Sequence, residues 1–178
     1  MQLKVRLKRF IVKEVVFVAN ESLNKNDKYT KIVEKYSDMV TRICYIRFNC
    51  LSDAEDCWQN VFIKLYNSGE MWQESEDYIR YWLITVTLNE CRDMHRKLFR
   101  RNHFDIDKLI TPYIEDFDKS LLNEIKSLPH KYSEVIYLYY FEGYNIIELS
   151  RILGRKENTI KSQLKRGREM LKDVIENE

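Results

Sequence analysis

The 178-residue chain has only two prolines and four glycines, too few breakers for a many-turned β architecture and none of the period of a collagen. It has no charge-free apolar run long enough to span a bilayer. It also lacks a strong charge bias: 30 Lys and Arg oppose 28 Asp and Glu, for a formal charge of +2. Bulk charge therefore identifies no partner, and only its distribution is informative. The four cysteines, Cys44, Cys50, Cys57 and Cys91, form no C-x-x-C pair, and no closely paired histidines accompany them. Spacing thus points to no metal site, and a helical chain of this length without a secretory signal is not expected to carry a disulfide framework. Cys44, Cys57 and Cys91 fall on helical stripes and are expected to be buried, reduced fillers. No phosphate loop, G-x-S-x-G or H-E-x-x-H motif is present, and His95, His103 and His130 stand far apart. These absences argue against an enzyme. No cofactor, metal or small-molecule substrate is expected.

What the chain does have is 44% apolar and 33% charged residues, with many Leu, Ile, Lys and Glu, which suits helices joined by short loops. Residues 1–9 are basic and residues 10–19 mostly apolar, superficially like a secretory leader, but Lys13 and Glu14 interrupt and no small-residue cleavage site follows. The alternation of Leu3, Val5 and Leu7 with Lys4, Arg6 and Lys8 hints at a strand. Residues 1–26 stay unassigned, in a protein expected to be cytoplasmic.

From Tyr29 the apolar residues Ile32, Val33, Tyr36, Val40, Ile43, Cys44 and Phe48 follow the spacing of one helix face. A second helix is predicted to open at Ser52 as N-cap, with Glu55 completing a capping box. Its apolar face is Ala54, Cys57, Trp58, Val61, Phe62 and Leu65, and Asp53, Asp56, Gln59, Asn60 and Lys64 lie opposite. A third helix runs from about Glu76 to about Leu98. Periodicity fades over residues 100–119, where Asp105, Asp107, Glu115, Asp116 and Asp118 gather and Pro112 interrupts, so this segment reads as a partly acidic linker. Helical pattern resumes at Leu121, Leu122, Ile125 and Leu128, pauses at Pro129, and returns over Tyr132 to Phe141, ended by Gly143. The expected fold is all-α, with two small helical domains: an N-terminal bundle over 27–99 and a C-terminal four-helix domain over 120–178, joined by a flexible linker over 100–119.

Two short helices close the chain, about Ile146–Leu153 and about Glu157 to Val174, separated by Gly154, Arg155 and Lys156. This is the layout of a helix-turn-helix. Ile146, Leu149, Leu153, Ile160 and Leu164 form the inward set. The outward set, Asn158, Thr159, Lys161, Ser162, Lys165, Arg166 and Arg168, suits base edges near the helix start and phosphates further along. Between Arg155 and Lys172 seven basic residues face only Glu157 and Glu169, which favours DNA over a merely solvated face. A second basic cluster, Arg92, His95, Arg96, Lys97, Arg100 and Arg101, ends the third helix. The helix dipole accounts for one or two such cations, not for six. Trp72, Tyr78, Tyr81 and Trp82 lie just upstream, and aromatics beside a basic stripe suit unstacked bases.

These residues resemble a known family, the extracytoplasmic-function sigma factors of bacterial RNA polymerase. The run from Asp53 to Tyr66, with Ala54, Glu55, Asp56, Gln59 and Phe62 in the order A-E-D-x-x-Q-x-x-F, is similar to the family's polymerase-binding helix. The run from Tyr81 to Lys97 resembles the segment that melts and reads the −10 element. Ser127, Leu128 and Pro129 begin the family's last domain, and the run from Asn158 to Leu164 resembles its −35 recognition helix. The resemblance covers residues 29–174 with the motifs in the family's order. Ser150 departs from the usual Ala of the turn, and Asn158 and Gln163 stand where Gly and Arg are frequent.

The resemblance implies sigma region 2 over 27–99 and sigma region 4 over 120–178. It assigns Asp53, Asp56, Gln59, Asn60 and Lys64 to the β′ clamp helices of core RNA polymerase. It assigns Trp82, Asn89, Arg92, His95, Arg96 and Lys97 to the −10 element. It assigns Lys156, Asn158, Thr159, Lys161, Ser162, Lys165, Arg166 and Arg168 to the −35 element. The last domain would also meet the polymerase β flap, and the linker acids would mimic nucleic acid in the RNA exit path. Partners are then core polymerase and promoter DNA, together with an anti-sigma factor of the kind that holds many relatives at the membrane. A free-standing helix-turn-helix regulator would leave the polar face of the second helix without a role, and a helical adaptor would leave both basic clusters without one.

Overall fold

The computed structural model describes residues 23–69, 71–100 and 116–176. Seven α-helices occupy them: α1 (Leu23–Arg47), α2 (Leu51–Asn67), α3 (Glu76–Arg100), α4 (Asp116–Ser127), α5 (His130–Tyr140), α6 (Ile146–Leu153) and α7 (Glu157–Glu176). A single 3-10 turn, Met71–Gln73, precedes α3. The strand hint at Leu3 to Leu7 and the acids Asp105, Asp107 and Glu115 lie outside the described residues. The linker is shorter than its composition implied, since α4 already starts at Asp116.

Helices α1 to α3 form one bundle because their apolar stripes coincide: Val40, Val61, Leu65, Leu83 and Ile84 are fully enclosed. Burying each such side chain contributes about 1.5–3 kcal/mol. Aromatic hydroxyls and an indole tie the bundle's loops. Tyr29 Oη donates to the Phe62 carbonyl at 3.2 Å, Tyr36 Oη to Glu76 at 3.1 Å, and Trp72 Nε1 to Leu65 at 2.8 Å. Trp72 is thereby a buried brace for the loop after α2, not an exposed stacking surface.

The capping box expected at Ser52 is not formed. Helix α2 begins two residues earlier, with Cys50 as N-cap and no side-chain cap bond, so Ser52 sits inside the first turn. A complete capping box appears instead at α6. The Asn145 side chain accepts from the amides of Ile147 and Glu148 at 2.9 and 3.1 Å, and the Glu148 carboxylate accepts from the Asn145 amide at 2.7 Å.

Helices α4 to α7 surround Leu122, Ile125, Val135, Ile136, Leu149 and Ile160, all buried. Helix α7 crosses α5 so closely that a Cβ on Gly167 would sit 2.9 Å from Ile136 Cγ1. Gly167→Ala should therefore destabilise by about 1–2 kcal/mol in urea unfolding, because overpacking outweighs the gain in helix propensity.

The two bundles lie side by side, α1 against α4 and α5, and α3 against α6. Apolar side chains such as Ile43, Ile46, Leu88 and Leu138 meet at the seam, and several polar contacts cross it. Arg47 pairs with Glu134, which also holds Arg155 at 2.9 Å. Arg80 donates to the Glu142 carbonyl at 2.6 Å and to its carboxylate at 2.8 Å, and lies over the Tyr144 ring. Tyr45 donates to Asn123, and Lys126 lies 4.0 Å above the Tyr45 ring.

Candidate nucleic-acid interface

The turn between α6 and α7 is built from two small residues. Gly154 adopts the left-handed conformation at φ 63°, which a residue with a Cβ resists. Ser150, in place of a larger side chain, lets the helices approach and donates from Oγ to the Arg155 carbonyl at 2.5 Å. Leu149, Leu153, Ile160 and Leu164 are buried as the pattern predicts. That fixes the phase of α7, and Lys156, Asn158, Thr159, Lys161, Ser162, Lys165, Arg166 and Arg168 are all exposed. Arg155 is the exception among the basic residues at this end. It turns inward to Glu134 and to Gln163 Oε1, the latter at 3.2 Å.

On α3 the predicted residues divide by helical phase. Ile84, Leu88 and Cys91 make a buried inward stripe, and half-buried His95 lies in line with it one turn on. Its ring stacks on Phe48 at 4.7 Å, and Nε2 lies 2.8 Å from the Arg47 carbonyl oxygen. His95 is thus drawn toward the seam, away from the exposed face that carries Asn89, Arg96 and Lys97. Asn89 Oδ1 accepts from Arg92 at 2.9 Å, and Arg96 pairs with Asp93, holding that carboxyl below its usual range. Trp82 and Tyr81 are half-buried against the core, whereas Tyr78 is exposed. Arg101 lies outside the described residues.

On α2, Asp56 and Gln59 are exposed and Asp53 partly so. Asn60 and Lys64 have a second task that the sequence pattern missed. Asn60 Nδ2 donates to Glu90 at 3.1 Å, and Lys64 pairs with the same carboxylate, which is buried beneath them. These bonds lock α2 to α3, so the two polar faces move as one unit.

At the seam, His130 lies 5.4 Å from His95, ring to ring. Loss of hydration, then the nearby charges of Arg47 and His95, push its pKa down to about 4, partly opposed by Cys91. The neutral form is favoured in the packed state. Between pH 6.5 and 4 the opened or unfolded chain binds more protons, so packing is intact above that window and weakens as pH falls through it. Small-angle scattering at pH 7.5 and 5.0 should show the seam loosening in acid, and His130→Gln should flatten that dependence.

Comparison with known proteins agrees with this geometry. Residues 32–101 match the family model for Sigma-70 region 2, and residues 118–171 that for Sigma-70, region 4. The ECF RNA polymerase sigma factor SigW of Bacillus subtilis (strain 168) is 26% identical over 84% of this chain and 89% of its own length. The ECF RNA polymerase sigma factor SigE of Mycolicibacterium smegmatis is 27% identical over 90% of this chain and 66% of its own length. Among solved structures, the sigma factor RpoE of Bartonella quintana, in complex with the anti-sigma factor NepR, superposes with a TM-score of 0.67 at 19% identity. It covers 83% of this chain and 96% of its own. Two regions of one family, in that family's order and on the helices that carry the polar and basic faces, make the chain a member of the sigma-70 family, an RNA polymerase sigma factor of the extracytoplasmic-function type.

Proposed function

We propose that the chain docks α2 on the β′ clamp helices of core RNA polymerase through Asp53, Asp56, Gln59, Asn60 and Lys64. In this reading α3 meets the −10 element. Asn89 and Trp82 serve the extruded base, and Arg92, Arg96 and Lys97 the adjacent backbone, with contacts to the freed base offsetting a flipping cost of a few kcal/mol. Helix α7 enters the −35 major groove, with Lys156, Asn158, Thr159, Lys161 and Ser162 near base edges and Lys165, Arg166 and Arg168 on phosphates. The observation that carries this reading is the uniformly outward basic face of α7, on the same chain as the exposed face of α3. His95 serves the seam rather than the DNA backbone.

The open groove lined by Leu121, Ile136, Tyr140, Phe141 and Leu171, about 440 Å³, supports docking of apolar side chains from the β flap. The chain acts without catalytic chemistry of its own, in the cytoplasm. An anti-sigma factor, which in a membrane-anchored form would recruit it there, is a further partner in this reading. Among the described residues no helix is long and apolar enough to cross a membrane.

The closed packing bears on the mechanism. The −10 and −35 elements are centred roughly 25 base pairs apart, or roughly 85 Å at 3.4 Å per pair. A compact chain of this length has a radius of gyration of only about 16 Å. Both elements are therefore engaged only after the seam opens and the two bundles part.

Substitutions in α7 separate its two kinds of contact. Lys165→Ala or Arg168→Ala should weaken promoter binding of the holoenzyme on every sequence and reduce the salt slope by about one unit. Lys161→Ala should instead alter the preferred −35 sequence, by about 1–3 kcal/mol at one position. Equal losses on all sequences for both types would contradict the division of roles.

A further inference from the structure

Cys44, Cys57 and Cys91 come from three different helices, α1, α2 and α3, yet their sulfur atoms all lie within 4.8 Å of one another. Cys57 Sγ and Cys91 Sγ are 3.5 Å apart, and each of the three residues is at most 1% exposed. A cysteine used only as a small apolar filler has no reason to aim its sulfur at two others. Here three helices converge on one point with the same donor atom.

We propose that Cys44, Cys57 and Cys91 form a trigonal three-sulfur site for a soft, thiophilic cation, with Cu(I) as the fitting probe. With metal–sulfur bonds of about 2.3 Å, three sulfurs around an in-plane ion are spaced by roughly 4.0 Å, so the cluster needs only small adjustments to close on one. Structural zinc takes four protein ligands, and no fourth His, Cys, Asp or Glu joins the group among the described residues. Thiolates select soft ions, and the dry surroundings disfavour hydrated hard cations. Binding converts the thiols to thiolates, and their protons leave to solvent. The positive charge of Arg47, near Cys91, offsets part of the resulting negative charge. Such an ion would staple together the helices that carry the polymerase-facing and −10-facing residues, and the site stands whether or not those assignments hold.

The test is an anaerobic titration of the reduced full-length protein with Cu(I), in competition with bathocuproine disulfonate, followed by X-ray absorption at the copper edge. The expected result is one Cu(I) withdrawn per chain, three sulfur neighbours at about 2.3 Å, and a raised melting temperature. Cys57→Ala and Cys91→Ala should each weaken binding at least tenfold, whereas Cys50→Ser, outside the cluster, should leave it unchanged. No withdrawal of copper, fewer than three sulfur neighbours, or equal loss in Cys50→Ser would overturn the proposal. The sulfur count on the native protein decides even if a buried-cysteine variant fails to fold.

Discussion

Glu134→Ala is expected to open the seam between the two bundles and to lower the stability of the closed form by about 3–5 kcal/mol. Glu134 is the carboxylate that pairs with both Arg47 and Arg155 among the described residues, and Arg47 is itself buried at 7% exposure. Removing it leaves a buried guanidinium without its counter-charge, which costs far more than losing a surface pair. If the bundles part, Arg47 regains water, so the radius of gyration should rise while helix content stays near its original value. Arg47→Ala should be milder, because Glu134 keeps its bond to Arg155. An unchanged scattering profile in Glu134→Ala, with an unfolding loss below about 1 kcal/mol, would show that this network does not hold the seam.

The pair Asp56→Arg with Gln59→Ala should cost at least about 2 kcal/mol of affinity for core polymerase, or about 30-fold, with no loss of stability. Both residues are exposed on α2, so the fold does not depend on them. Asn60→Ala and Lys64→Ala provide the contrast. They remove partners of the buried Glu90 carboxylate, and should therefore lower stability by about 1–3 kcal/mol as well as weaken docking. Pull-down with core polymerase beside urea unfolding separates the two effects. Full core binding by the Asp56 and Gln59 double variant would place the docking face elsewhere.

Much of this architecture was legible in local sequence pattern. Ile146–Leu153 has the bounds its spacing predicts, Gly154 makes the left-handed turn, and the inward set of α6 and α7 is buried except for Ile146, which is half-buried at the helix start. These features depend on residues three or four apart, and periodicity records such neighbours directly. The Ser52 cap was misplaced by two residues, since Cys50 and Ser52 both have short side chains at the same helix start.

What the pattern could not reveal depends on residues distant in sequence. Arg47 and Glu134 are 87 positions apart, and Lys64 and Glu90 are 26 apart, with nothing in either local stretch to mark the pairing. His95 belongs to the basic cluster by composition but to the inward stripe by phase, and burial decided for the stripe. The three cysteines escaped notice as a group for the same reason. A site assembled from three helices has no characteristic spacing, so only the packed bundle brings Cys44, Cys57 and Cys91 together.

The most direct test of the central claim is run-off transcription from a promoter library, with this protein and core RNA polymerase each present or omitted. Initiation only when both are present, on a subset of promoters sharing −10 and −35 sequences, is the predicted result. Tight, specific promoter binding by the protein alone, with no initiation gained when core polymerase is added, would contradict it.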